Sequence, residues 1–489
     1  MLYRWLRYYL ILMGLLLNLA IVYEGYRFSL LIYSLGSLPS ALNTMAYRIS
    51  DIPVLQTIGP SLSNIAQFLD RSSYQWKPFK REQWPMVGPD FSAQYAVNSV
   101  TQPSIVHVSD SQTLINALKQ AQPGNTIVVA DGEYELSGKR FNTSASEADQ
   151  NNPIILKAEN PGKAHLNLSS IEGIFLHQPY WTITGFRFKC ASSNCDHAIH
   201  IVSNAQHTTI SHNEFIDFNA ALKINSSGGQ YPDNGIVINN YFYATKPRNT
   251  HLSVTPINID QASHWVISKN IIRDFIKTSG NKVSYGAFMK GGASNGIFEN
   301  NLIICNTSKT RYSGSQVGLS IGGGGMNDHR NNAPYEATNT VIRNNIISHC
   351  NDVGIYINKG ENSLINNNTI YNTSGIDIRF AESSALVINN IFSGKLRTRD
   401  NGKILKEAGN LIYSKGFVHN DDLLNDLFSS PEIGNFAFKD NNIDLQKDAL
   451  NYPLVPVNQT VTDFCGQTVT ANESFIGAFS DKKGCFLAN

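Results

Sequence analysis

The feature that most restricts this chain is a phrase that keeps returning: an apolar residue, a variable one, a pair of residues ending in Asn, then more apolar residues. Ile236-Val237-Ile238-Asn239-Asn240-Tyr241-Phe242 shows it in full. It recurs at His212-Asn213, Lys269-Asn270, Asn300-Asn301, Asn344-Asn345, Asn367-Asn368 and Asn389-Asn390, the last intervals closing to about 22 residues. A period of that length marks a supersecondary unit that stacks on copies of itself. Upstream of each pair lies a second phrase, small-apolar-variable-apolar-variable, as in Gly354-Ile355-Tyr356-Ile357-Asn358, Gly375-Ile376-Asp377-Ile378-Arg379 and Gly318-Leu319-Ser320-Ile321-Gly322. An apolar period of two is a strand with one buried face, whereas a helical repeat needs 3.6 and a leucine-rich repeat needs Leu at fixed offsets. Strands this short are stable only when each stacks on its equivalent one turn later, so the expected fold class is all-β, a single parallel solenoid. Asn suits its corners because it tolerates left-handed backbone and because stacked Asn side chains hydrogen-bond along the axis.

Composition agrees and narrows the partners. Roughly fifty Asn and 36 Gly describe a chain that turns often, and 16% charged residues rule out a long solvated tail. Lys and Arg number 39 against 38 Asp and Glu, a net +1, so no global field recruits nucleic acid, and a charged partner must be held locally. At one end of the repeat, Ser104 to Tyr134 reads strand, helix from Ser109 or Asp110, Pro-Gly stop, strand and Asp-Gly turn: an N-terminal capping helix over the first hydrophobic layer. At the other, Thr462 to Ser480 is expected to close the last turns.

The amino terminus reads differently. Arg4 and Arg7 precede an uncharged apolar run, Tyr8 to Tyr23, near the lower limit of a transmembrane helix. With no small-x-small cleavage site after it, an uncleaved signal anchor is favoured over a cleaved signal peptide or a buried helix, leaving the arginines in the cytoplasm. The body is then membrane-anchored and exported, periplasmic or extracellular, or secreted if the segment is cleaved. Six cysteines fall in sequence-local couples, Cys190 with Cys195, Cys305 with Cys350 and Cys465 with Cys485, at no zinc-site spacing. Three disulfides fit an oxidising compartment, and buried free thiols are the alternative. The organisation expected is a cytoplasmic tip and anchor over 1–27, a stalk or helical linker over 28–103, the solenoid over 104–440 and a C-terminal cap over 441–489.

The run PGNTIVVADGEY (residues 123–134), followed by NNPIILKAENPGKAHL (151–166) and WTITGFRF (181–188), resembles the sixth polysaccharide lyase family, chondroitinase B and related alginate lyases, over roughly residues 104 to 415. The resemblance implies a right-handed parallel β-helix that cleaves uronic-acid polysaccharides by β-elimination, with a Lys base, an Arg acid and usually a calcium ion. The family's base Lys opens a Lys-Ser-Ser-x-Asn run, to which Lys290-Gly291-Gly292-Ala293-Ser294-Asn295 is similar, so Lys290 is carried over. Five residues earlier, where the family has a metal-binding acid, stands Tyr285, and Gly322-Gly323-Gly324 occupies the place of the Arg-His-Gly run. No metal ligands are assigned, and calcium rests on the resemblance alone.

Stacking the second phrase aligns two outward rows. Its last variable position gives Val202, Asn225, Asp260, Lys290, Gly322, Asn358 and Arg379; its middle one gives His200, Lys223, Asn258, Phe288, Ser320, Tyr356 and Asp377. Elimination needs a base, a group to neutralise the carboxylate and a proton donor for the leaving oxygen. Lys290, Tyr356 and Arg379 are the candidate catalytic residues. Asn225, Asn258, Asp260, Arg311, Asn358 and Asp377, with His329 and Arg330 on the loop after the glycine run, are candidates for substrate binding. Each has a plainer reading: Lys290 a solvated surface lysine, Arg379 and Asp377 an ion pair, Tyr356 and Phe288 a stacking ladder, and the asparagines turn residues. The GGGGMNDHR run lacks the Gly-Lys-Ser/Thr ending of a phosphate loop. Hydrolysis needs two facing carboxylates, and Asp260 and Asp377 stand about four coils apart. The function expected is a lyase, a monomer acting on an acidic polysaccharide such as alginate or chondroitin/dermatan; the alternative is a non-catalytic polysaccharide-binding or cell-surface structural β-helix.

Overall fold

A computed structural model describes residues 2–485 other than 36, 51, 70–76, 93–103, 193–194, 309, 311, 325–327, 414–415, 419–421, 440–448, 451–460 and 470–473. Two compact units divide the chain, Met1–Gln75 with Ser414–Asp422, and Trp76–Tyr413 with Leu423–Asn489. In the first, Leu2–Leu35 is one helix that runs on through Glu24 and Arg27, whose side chains pair at 3.0 Å. Its Tyr3–Tyr33 stretch, of hydropathy 1.8, is long and apolar enough to cross a membrane by length and composition. Helices Leu38–Ser50 and Ile58–Leu69 pack on each other within the same unit.

The second unit is the solenoid. Among the described residues its strands stack into three parallel sheets of twelve, eleven and ten strands. One coil runs Ile236–Ile238, Tyr241–Tyr243 and Ile257–Asp260 before Val266–Ser268 opens the next. This is a parallel β-helix, all-β as the period of two requires, of the right hand that parallel crossovers take.

The paired phrase divides its labour at the corner between the twelve- and eleven-stranded sheets. Its first residue, His212, Asn239, Lys269, Asn300, Asn344, Asn367 or Asn389, takes a left-handed φ between 53° and 56°. Its second turns inward: Asn213, Asn240, Asn270, Asn301, Asn345, Asn368, Asn390 and Asn410 form a continuous ladder. From Asn240 onward each side-chain oxygen accepts from the backbone N–H and the Nδ2 of the Asn one coil earlier, at 2.9–3.1 Å, and that of Asn213 accepts from Phe186 N at 3.0 Å. Nδ2 gives its other proton to a strand carbonyl, as from Asn301 to Ile267 at 2.8 Å. A buried amide with every group matched is what lets a polar corner sit inside a hydrophobic solenoid. Stacked rings fill the interior beside it, Phe188 on Phe215 at 5.0 Å and Phe215 on Phe242 at 4.7 Å.

Helix Ser111–Gln120 covers the first coil. Asp110 caps it, accepting from Thr113 N at 2.9 Å, and Leu114 and Leu118 are fully buried beneath it. The carboxyl-terminal segment is described at 449–450, 461–469 and 474–485. It runs along the flank of the eleven-stranded sheet, where Thr462 O accepts from Asn344 Nδ2 at 3.0 Å, Gly477 N donates to Asn389 O at 2.8 Å and Ala478 N donates to Thr369 Oγ1 at 3.0 Å. The reason is chemical: that sheet's outward residues include Tyr241, Ile271, Leu302, Ile346 and Ile391, which need cover, and Trp84, Val87, Phe436, Phe464 and Phe479 supply it. All six cysteines pair as the sequence couples suggested, Cys190–Cys195, Cys305–Cys350 and Cys465–Cys485. The Cys305–Cys350 bridge follows the neighbouring strands Leu302–Ile304 and Ile346–Ser348 and ties two successive coils.

Candidate functional site

The ten-stranded sheet carries both outward rows in the register read from the sequence. His200, Lys223, Asn258, Phe288, Ser320, Tyr356 and Asp377 are successive partners across it, and so are Val202, Asn225, Asp260 and Lys290, then Asn358 and Arg379 further on. Gly322 follows the strand Ser315–Ile321 at the position between Lys290 and Asn358. Adjacent coils lie about 4.8 Å apart, so residues a coil apart touch.

Four sequence candidates, Asn225, Asn258, Asp260 and Lys290, come together, and around a residue not singled out by the sequence reading. Lys223, one coil before Asp260 and one row over, donates to Asp260 Oδ2 and, at 2.9 Å, to Asn258 Oδ1. Lys290 Nζ lies 3.4 Å from the other oxygen of the same carboxylate and donates to Gly324 O at 3.2 Å. Two ammonium groups thus bracket one carboxylate. The Lys223, Lys290 and Asp260 side chains are only 18%, 13% and 7% exposed. Burial pulls the Lys223 ammonium down to about 7, the Lys290 charge adds to the pull, and Asp196 opposes it. Burial likewise lowers Lys290, against the attraction of Glu336. On the amino-terminal side His200 is held between Glu172 Oε1 at 3.2 Å and Asn225 Oδ1 at 2.7 Å, and burial depresses its pKa.

The glycine run explains why no Arg follows Lys290. Gly322 has a φ of +86°, and a Cβ there would meet Asn358 O at 1.9 Å. A side chain on Gly323 would touch the Lys290 stem and the Phe288 ring at 3.4 Å. Glycine lets the chain pass closely over Lys290 and present Gly324 O to its ammonium. Glu336, buried on the same coil junction, accepts from Gly291 N at 3.0 Å.

Tyr356, Asp377 and Arg379 form a second group, two and three coils beyond Lys290. Asp377 is almost fully buried and paired with Arg399 and with Arg397, at 3.3 Å, not with Arg379. Arg379 pairs with Asp400, and its guanidinium stands near enough to Tyr356 to oppose the upward push of burial on the phenol pKa. Asn358 stands half-buried between the groups. Arg330 and His329 flank the first group: Arg330 reaches Asp233 Oδ1 at 2.8 Å and Ser263 Oγ at 3.1 Å, and His329 Nδ1 lies 2.8 Å from Ala333 O. Arg311 lies outside the described residues.

The donor set does not suit calcium. A hard cation needs several oxygen ligands, and Asp260, the carboxylate nearest Lys290 in the rows, already faces two ammonium groups, while Tyr285 is a half-buried phenol whose pKa is pushed up. No group of three or more potential metal-binding His, Cys, Asp or Glu occurs among the described residues. Lys223 was missed because its importance lies in a diagonal across coils: it stands in the aligned row, but its partner Asp260 belongs to the next coil and the other row.

Comparison with known proteins agrees with the fold. Residues 108–221 match the family model described as Chondroitinase B, and residues 257–395 match that described as Right handed beta helix region. The first match ends at Ala221, before Lys223, Asp260 and Lys290. The solved structure of pectate lyase Pel9A has a TM-score of 0.52 at 14% identity, covering 77% of this chain and 96% of its own. A PL6 family polysaccharide lyase, Pedsa3628 from Pseudopedobacter saltans, gives 0.35 at 16% identity, covering 63% and 92%. An alginate lyase from Paenibacillus sp. str. FPU-7 gives 0.36 at 16%, covering 64% and 99%. No curated relative matches the chain. The chain thus resembles chondroitinase B in sequence over its early coils and has the right-handed β-helix fold found in polysaccharide lyases.

Proposed function

We propose that this protein cleaves an acidic polysaccharide by β-elimination, with Lys290 as the base. The observation that supports this best is the state of Lys290, an amine held largely out of water on the outward face, next to a second lysine, with its pKa depressed. An exposed surface lysine keeps its proton to about pH 10.4 and is no base at neutral pH; burial beside another cation is how a lysine becomes one.

In the proposed reaction Lys290 takes the proton on the carbon next to the uronate carboxylate. The electrons of that C–H bond form the new C=C bond, the C–O bond to the leaving sugar breaks, and that oxygen takes a proton. The ammonium just formed on Lys290 is a donor on the same face. Asn225 offers its amide to a sugar hydroxyl, while Asn258, almost fully buried, acts through the Lys223 ammonium that it accepts from at 2.9 Å. Tyr356 and Arg379, about 10 and about 14 Å along the axis from Lys290 at about 4.8 Å per coil, hold a neighbouring uronate of the same polymer, Arg379 through its carboxylate. The Leu2–Leu35 helix is proposed as a signal anchor with the disulfide-bonded solenoid on the exported side.

The test is incubation of the full-length protein in detergent with alginate, chondroitin, dermatan and pectate, following the ultraviolet absorbance of unsaturated uronate. Product from one polymer, abolished in Lys290→Met, is the expected result. Retention on a polymer without product would replace this reading with the binding module.

A further inference from the structure

Elimination next to a carboxylate needs a positive charge on that carboxylate, because the transition state carries a developing second negative charge into the same group. Neither the oxygens around Asp260 nor the glycine run after Lys290 supplies a metal ion or an Arg. A cation is nonetheless built into the site. We infer that the Lys223 ammonium binds and neutralises the carboxylate of the uronate undergoing cleavage, in the role that a calcium ion would otherwise fill. The inference rests on the lyase reading and names the group that reading leaves open.

Three observations carry it. The first is position. Lys223 and Lys290 both lie within ion-pair reach, about 4 Å, of one carboxylate, that of Asp260. The carbon that loses the proton and the carboxylate carbon are bonded neighbours in the substrate, so a base and a neutralising group about 3 Å from each must themselves be this close together. The second is valence. An ammonium has three N–H donors. Asn258 Oδ1 and Asp260 Oδ2 take two of those on Lys223, and among the described residues no partner takes the third, although the side chain retains 18% exposure. The third is charge. The two buried ammonium groups share the single carboxylate of Asp260, the other acids standing to either side of the pair, and an anion arriving beside Lys223 restores the proton that burial weakens. Asp196, His200 and Glu336 complete the titratable surroundings of the pair, Asp196 and His200 near Lys223 and Glu336 near Lys290.

Asp260 then acts as a positioning residue: it holds both nitrogens at a fixed spacing before substrate arrives. Asn258, fixing the same ammonium from the side, keeps the third N–H aimed outward.

The experiment uses the full-length protein with whichever polyuronate yields product, and with the same polymer methyl-esterified at its carboxylates. Wild type is expected to prefer the free acid by at least 100-fold in kcat/KM and to be unaffected by a chelator. Lys223→Met is expected to lose most activity on the acid and little on the ester, so the acid-to-ester ratio collapses at least tenfold. Lys223→Arg, which keeps the charge, is expected to recover part of that ratio. A Lys223 that merely supported the fold, or that was itself the base, would lower both substrates together and leave the ratio unchanged, and that result overturns the inference. So does loss of wild-type activity on chelation with recovery on added calcium. Absence of product from wild type on every polymer overturns the lyase reading instead. A melting curve on each variant separates misfolding from a change in chemistry, and where Lys223→Met fails to fold, Lys223→Gln, which also removes the charge, takes its place, and an unchanged ratio in Lys223→Gln and Asn258→Ala together overturns the inference.

Discussion

Two outward faces of the same solenoid have been put to opposite use. On the eleven-stranded sheet the outward residues of successive coils are Tyr241, Ile271, Leu302 and Ile346, and the chain's own Trp84, Val87, Phe436 and Phe479 are packed over them. On the ten-stranded sheet the equivalent positions are Lys223, Asn258, Asp260 and Lys290, also largely out of water but with polar partners. Burying the first face stabilises the molecule at about 25 cal/mol per Å² of apolar surface. Burying the second does not: taking ammonium groups out of water costs several kcal/mol each, and pairing repays this only in part. A face that is costly to fold and could have been apolar, as its neighbour is, has been kept polar for something other than stability.

That contrast is broken or sharpened most strongly by a matched pair of variants. Lys290→Met is expected to lower kcat/KM at least 1000-fold, about 4 kcal/mol at the transition state, with the melting temperature unchanged or raised. In wild type the same base gives activity that rises with pH as the amine loses its proton and falls about tenfold per unit below its pKa, that pKa lying below the ordinary lysine value. Trp84→Ala does the reverse. It empties the ring that Phe436 meets edge-on at 6.2 Å and should cost about 3–5 kcal/mol of stability by denaturant titration, with activity per folded molecule intact. Equal activity losses in the two variants would erase the division between the faces.

The corner between the faces gives a smaller effect of a third kind. Asn301→Ala leaves the N–H and Nδ2 of Asn270 without their acceptor and removes the amide that donates to the Ile267 carbonyl, all of them buried. About 2–3 kcal/mol is expected, since each orphaned buried group costs about 1–3 kcal/mol and the structure relaxes. The same change at Asn410, the last Asn of the ladder and only half-buried, should cost about half as much. Equal costs at both positions would mean that the ladder is not cooperative.

How far this was legible follows from the physics of each part. The strand period, the left-handed corner and the in-register rows are properties of a repeated sequence, and Ile236 to Phe242 states all three in seven residues. The cap at Asp110 is local in the same way. Nothing in Thr462 to Ser480 says which distant surface its described residues meet; the signal for that cover lies in Tyr241, Ile271 and Leu302, outward positions too apolar to face water. The site was half legible. Lys290 stood out by resemblance and Asp260 by its row, but the pairing of Asp260 with Lys223, and of Asp377 with Arg399 in place of Arg379, depends on side chains reaching diagonally between coils, which a list of columns does not encode.

The weakest effect belongs to the far end of the polar face. Arg379 retains 35% exposure and pairs with Asp400, itself half exposed, so the resting ion pair contributes little to stability. If a uronate carboxylate exchanges with Asp400 for the guanidinium, the exchange trades one exposed ion pair for another, and Arg379→Ala should raise KM about three- to tenfold while leaving kcat alone. The increase should shrink as salt is added, because an exposed pair is screened within a Debye length of about 8 Å at physiological ionic strength, whereas the Lys290 effect, set in a buried pair, should persist. It should also vanish on oligomers too short to span from Lys290 to Arg379, three coils or about 14 Å away. A kcat effect on short oligomers would move Arg379 into the chemistry and draw the catalytic part of the polar face three coils longer than the lysine pair alone defines it.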